Sequence, residues 1–141
     1  MNKIIALLSI VMFAGLGLGN TVKPDKGGIE FFEGTFKEAM EKAKKENKLI
    51  FLDTYASWCG PCKRMSAYVF TNEEVGKYFN ENFVNVKMDM EKGEGPALAA
   101  QLRVSAYPTL FFIDGDGNGK YTHVGYLKAD DLLSLGKEVL K

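Results

Sequence analysis

Trp58-Cys59-Gly60-Pro61-Cys62-Lys63 holds both cysteines of the 141-residue chain, with its sole tryptophan directly before them. A Cys-X-X-Cys pair is either a redox switch or half of a metal site, and the flanking sequence must decide between them. Leu49 to Leu52 is a short, continuous apolar run, which at that length predicts a buried central strand ending at Asp53. Tyr55 to Trp58 then reads as a connection, and Pro61 suits the first turn of a helix that continues through Met65 and Tyr68. The pair is thus expected at the C-terminal end of a central strand, where open α/β sheets carry their sites.

The elements further out follow the same reasoning. Ile29 to Glu33 is apolar enough for an edge strand. Thr35 and Glu38 have capping-box spacing, and Phe36, Ala39, Met40 and Ala43 recur at helical period after them. Thr71 and Glu74 repeat the capping spacing ahead of Val75, Tyr78 and Phe79. Phe83 to Met90 alternates as a strand does, and Pro96 to Leu102 reads as a short helix. Thr109 to Ile113 and Lys120 to Val124 read as a hairpin about a Gly115–Gly119 turn, and residues 129–140 as a last helix with its leucines mostly inward. Strands alternating with helices, then a hairpin and a helix, predict an α/β three-layer sandwich with a central mixed β-sheet flanked by helices.

The composition excludes several classes. Hydrophobic residues make up 46% of the chain and aromatics 12%, enough for a core and too much for a disordered chain. Eighteen basic residues balance eighteen acidic ones without a block of either sign, so nucleic acid is not an expected partner. Residues 1–19 combine Lys3, an apolar run from Ile4 to Phe13 and a small-residue stretch ending at Gly17 and Gly19. That is the pattern of a secretory signal peptide cut before Asn20. Its apolar run is short against the ~20 residues of a spanning helix; an uncleaved membrane anchor is the alternative. Residues 20–28 then form a linker, and 29–141 one domain, expected to be a monomer.

Export is expected to place the two cysteines in an oxidising, periplasmic compartment where disulfides persist. A structural staple is a poor account of them, because so short a loop stabilises by only about 2 kcal/mol. Metal is no better supported. Structural zinc wants four ligands and a lone pair supplies two, His123 is the only histidine, and Lys63 stands where covalent haem would need a histidine. Asp114 to Gly119 imitates the first half of a calcium loop, but the twelfth position is Gly125, and Asp, Asn and Gly are also hairpin-turn residues. No metal and no cofactor beyond the cysteine pair is expected. Exchange chemistry fits each residue instead. Cys59 at a helix N-terminus is expected to have a favoured thiolate and to attack. Cys62, one turn in and less exposed, is expected to resolve the mixed disulfide. Gly60 admits a substrate backbone, and Trp58 shields one side.

The hexapeptide closely resembles the active-site motif of thioredoxin, and the similarity runs through about residues 30–140. The resemblance implies that Asp53 is a buried carboxylate relaying the proton of Cys62, which fits the cost of a charge at the end of a buried strand. It implies that Tyr107-Pro108-Thr109 is a cis-proline loop lying against the cysteine pair, that Gly125 keeps the site open, and that Lys87 stands near the carboxylate. Lys63-Arg64-Met65, Val69-Phe70-Thr71 and Asn82-Phe83-Val84 are similar to exported bacterial thioredoxin-like proteins and to the C-terminal domain of membrane thiol–disulfide interchange proteins. Thr54-Tyr55 and Tyr107 depart from cytosolic thioredoxin, so substrate choice does not carry over. The implied activity is that of an exported thiol–disulfide oxidoreductase, mainly a protein-disulfide reductase. Its partners are then disulfide-containing substrate proteins and a membrane electron donor of the thiol–disulfide interchange type. Alternatives are an oxidase or isomerase, a peptide-binding or chaperone module that keeps the fold, and copper handling through Met65 or Met88.

Overall fold

The computed structural model describes residues 27–141, so the expected signal peptide at 1–19 and most of the expected linker lie outside the described residues. Five helices and four strands follow in the order α1 (Phe36–Glu46), β1 (Leu49–Tyr55), α2 (Gly60–Tyr68), α3 (Glu73–Asn82), β2 (Phe83–Asp89), α4 (Gly95–Leu102), β3 (Thr109–Ile113), β4 (Gly119–Val124) and α5 (Ala129–Val139). The sheet order is β2-β1-β3-β4. β2 runs parallel to β1, while β3 is antiparallel to both β1 and β4. The sheet is therefore mixed, with β1 inside it.

Alternate side chains of β1 and β3 divide the core into two layers. Phe51, Leu110 and Phe112 face Met65 of α2, Val75 and Phe79 of α3, and Leu132 and Leu135 of α5. Ile50, Leu52, Phe111 and Ile113 face Ala39 and Ala43 of α1 and Leu98 of α4. Helices on both faces bury β1 from Ile50 to Thr54, which is why its sequence reads as a continuous apolar run rather than an alternation. Met65 and Met88 pack against the two different layers.

Thr35 closes the expected capping box on α1. Its hydroxyl accepts from the Glu38 N–H at 3.2 Å, and the Glu38 carboxylate accepts from the Thr35 N–H at 2.7 Å. Removing one side of a reciprocal cap typically costs about 1 kcal/mol. Thr35→Ala is expected to lower stability by about that amount in urea titration, with the m-value unchanged.

Four expectations need correction. Ile29 to Glu33 is not a strand. Its backbone bonds Phe70 through Ile29 and Asn85 through Phe32, but the Glu30 N–H goes to the Asn80 side chain, so no ladder forms. β1 does not end at Asp53; pairing continues on both sides through Thr54, whose hydroxyl also donates to the Thr109 carbonyl at 2.7 Å. The cap of α3 is Asn72, accepting from the Val75 N–H, while the Thr71 hydroxyl is spent on the Ala67 carbonyl at the end of α2. Leu140 is exposed rather than inward. No helix among the described residues is long and apolar enough to cross a membrane.

Candidate active site

Cys59 is the N-cap of α2, in extended conformation, and its sulfur accepts from the Cys62 N–H at 3.2 Å. Gly60 and Pro61 form the first turn; a proline there forfeits no helical hydrogen bond, since the first amides have no partner within the helix. The turn brings the cysteines together as a disulfide, with Cα atoms 5.3 Å apart. The cap placement aims free amides and the positive end of the helix dipole at the Cys59 sulfur. The expected difference in exposure is absent: Cys59 is 3% and Cys62 2% exposed. The two cysteines cluster with Ala56, and Tyr55 and Tyr107 pack against them.

Further expected residues stand around the pair. The Tyr107–Pro108 peptide is cis. The Pro108 carbonyl accepts from the Gly125 N–H at 2.8 Å, while Tyr107 makes no backbone–backbone hydrogen bond among the described residues. Gly125 has φ +107, a left-handed conformation that favours glycine. A Cβ at Gly60 would meet nothing within 4 Å, so the space beside the disulfide is open to an incoming chain. Trp58 is 67% exposed, a rim residue rather than a core aromatic. Its indole N–H donates to the Glu91 carboxylate at 2.9 Å, and its ring stands edge-on to Tyr107.

On β1, the strand that leads into the pair, Asp53 is completely buried, and neither carboxyl oxygen has a hydrogen-bond partner among the described residues. The β1–β2 register sets Lys87 opposite it. The ammonium lies 3.8 Å from Oδ2, an ion pair beyond hydrogen-bond reach. Burial pushes the Asp53 carboxyl up to about 7, with Lys87 opposing the rise. A buried carboxyl titrating near neutrality is suited to accept and release protons at physiological pH.

Lys87 also donates to the Ser66 hydroxyl, and its ammonium lies 4.9 Å from the Tyr55 ring centroid and 5.3 Å from that of Phe70. A side cleft of about 340 Å³ runs beside this group, lined by Tyr55, Ala56, Cys62, Lys63, Ser66 and Lys87 among others. Sequence reasoning passed over Ser66 and Glu91. Ser66 had one signal, its position one helical turn after Cys62; Glu91 had none, since only the tertiary fold brings it to Trp58.

At the calcium-like segment, the Asp114 carboxylate accepts from the Asn118 side-chain amide at 3.0 Å and from the backbone N–H groups of Asn118 and Asp116, and pairs with Lys120 at 3.0 Å. These contacts hold it well below its ordinary range and account for its place in the β3–β4 turn.

Fold and site together define a thioredoxin-class exchange protein. The family model of the thioredoxin-like domain matches residues 36–140, and the chain belongs to that family. The chain is 33% identical over 100 residues to the thiol:disulfide interchange protein DsbD of Neisseria meningitidis, a match covering 69% of this chain and 17% of that protein. It is 52% identical over 56 residues to rat spermatogenesis-associated protein 20, covering 40% of this chain and 7% of that one. The chain thus spans a small fraction of the length of these curated relatives. Among solved structures, a candidate disulphide-isomerase from Bacteroides thetaiotaomicron is 49% identical with TM-score 0.72, covering 82% of this chain and 95% of the other. The reduced C-terminal domain of Neisseria meningitidis DsbD is 32% identical with TM-score 0.60, covering 72% and 91%.

Proposed function

We propose that the chain is an exported protein-disulfide reductase that draws electrons from a membrane partner of the thiol–disulfide interchange type. The observation that carries this reading is the Cys59–Cys62 disulfide at the N-terminus of α2, preceded in the chain by β1, which carries the buried Asp53 carboxyl without a hydrogen bond. In the reduced form the Cys59 thiolate attacks a substrate disulfide, one sulfur of which joins Cys59 while the other leaves as a thiolate and takes up a proton. Cys62 then gives its proton to Asp53 and attacks Cys59. The intramolecular disulfide forms, the second substrate thiolate leaves, and Asp53 returns the proton. Two electrons pass from the cysteine pair to the substrate, and the donor restores them.

Tyr107, Pro108 and Gly125 supply the edge on which the substrate chain lies, beside Gly60, Pro61 and Trp58. Residues 1–19 act as the export signal and 20–28 as a linker to a monomeric domain in the periplasm. The similarity to the DsbD C-terminal domain supports an interchange-type donor. The 49% identity to a candidate disulphide-isomerase favours isomerisation as the second reading.

Trapping thiols by acid quench and alkylation in cells distinguishes the two directions. A largely reduced Cys59–Cys62 pair that turns oxidised when the donor is removed is the expected result. A pair fully oxidised at steady state defeats the reductase reading. Insulin reduction by the purified chain is expected, and its absence would point to a peptide-binding module instead.

A further inference from the structure

The Ser66 hydroxyl is fixed at both ends. It donates its single proton to the Cys62 carbonyl at 3.1 Å, the i−4 position of α2. That bond orients its lone pairs away from the helix, where one accepts from the Lys87 ammonium. Lys87 therefore donates to a neutral hydroxyl, while the buried carboxyl of opposite charge remains at 3.8 Å without a hydrogen bond. A buried acid and a nearby ammonium would ordinarily close to a hydrogen-bonded pair. Here the neutral acceptor holds the ammonium on the side cleft, against the faces of Tyr55 and Phe70.

We propose that Ser66 is a positioning residue: it holds the Lys87 ammonium out of direct contact with Asp53, leaving the buried carboxyl free to exchange a proton with Cys62. The proton exchange rests on the reductase reading above; the placement of the ammonium does not. The groups facing this site come from three elements. Asp53 and Tyr55 belong to β1, Lys87 to β2, and Cys62, Lys63 and Ser66 to α2. Asp89, two residues along β2, is taken by Lys92 at 3.4 Å. Lys87 is thus the cation placed to act on Asp53, and Ser66 is the side chain that decides where it rests.

The test uses the oxidised protein, in which no thiol titrates, and follows the Asp53 carboxyl carbon by NMR across pH 4 to 10. In Ser66→Ala the ammonium loses its acceptor and closes on the carboxylate, so the Asp53 midpoint is expected to fall by about one pH unit or more. A midpoint that stays put or rises overturns the proposal. Lys87→Met separates a local packing effect from action through the lysine: in that background Ser66→Ala is expected to leave the midpoint unchanged, and a further change there also overturns it. In the reduced protein, the pH at half-maximal insulin reduction is expected to fall alongside the midpoint in Ser66→Ala. A chain that reduces no insulin would sink the reductase reading while the oxidised-state titration still judges Ser66.

Discussion

Asp53→Asn is expected to make the folded protein more stable at pH 8 by about 4 kcal/mol, and to leave it little changed near pH 4. The carboxyl is fully buried, lacks a hydrogen bond, and is pushed from the ordinary 3.8 up to about 7. For a group raised in the folded state, the unfolded chain releases its proton first. Stability is intact below about pH 4, declines as pH rises, and reaches its full loss once the folded carboxyl has also ionised, above about pH 7. A gap of about three pH units corresponds to about 4 kcal/mol. Asparagine keeps the shape and removes the ionisation, so it escapes that loss. Urea titrations of both proteins at pH 4 and pH 8 measure the difference; equal stability at pH 8 would show that Asp53 is not held in the state described. On the proposed reductase reading the same substitution also removes the proton acceptor of Cys62, and insulin reduction slowed by roughly 10²-fold or more at neutral pH is the accompanying expectation. Stability and turnover therefore move in opposite directions on one change. A side chain kept only for packing would not produce that pairing.

The sequence made the centre of the fold legible because two signals agree there. The apolar run of β1 requires cover on both faces, and Pro61 after Cys59 requires a helix start, so the cysteine pair had to lie at a strand's end against a helix. Asp53 was legible as an anomaly, since a carboxylate within a buried strand needs a task. Its neighbour Lys87 became certain only with the β1–β2 register, which hydrophobic pattern alone leaves loose when Asn85 is buried as well. The extended segment at Ile29 defeated the strand reading because its amide partners are a loop carbonyl, a strand carbonyl and a side chain on α3. Apolar character reports burial; it does not report which acceptor lies alongside. Similarly, Asn72 and Thr71 are both good caps by chemistry, and only the Ala67 carbonyl beneath Thr71 decides between them. Glu91 is legible in three dimensions only, whereas Ser66 lies one helical turn after Cys62 and only its contact with Lys87 needs the fold.

Cys59→Ser is expected to abolish insulin reduction, by ~10³-fold or more, and to form no adduct with substrate. Cys62→Ser is expected to lose turnover as severely while accumulating a mixed disulfide through Cys59. Exposure does not assign these roles, because the two sulfurs are equally buried in the oxidised protein. Hydrogen bonding and access do. The Cys59 sulfur is the cap atom, receiving the Cys62 N–H at 3.2 Å, so a thiolate there meets amide donors and the positive end of α2. Empty space beside Gly60 offers that end of the helix to a polypeptide. Cys62 lies inside the helix and turns toward the side cleft with Ser66 and Lys87, a position suited to losing a proton rather than meeting a protein. Without the Cys62 thiol, the first exchange still joins substrate to Cys59, and nothing within the chain can expel it, since these are the chain's only cysteines. Non-reducing gels and intact mass after incubation with a disulfide-bonded protein read the adduct directly. An adduct on Cys59→Ser in place of Cys62→Ser would reverse the assignment, and the cap geometry would then not govern which sulfur attacks.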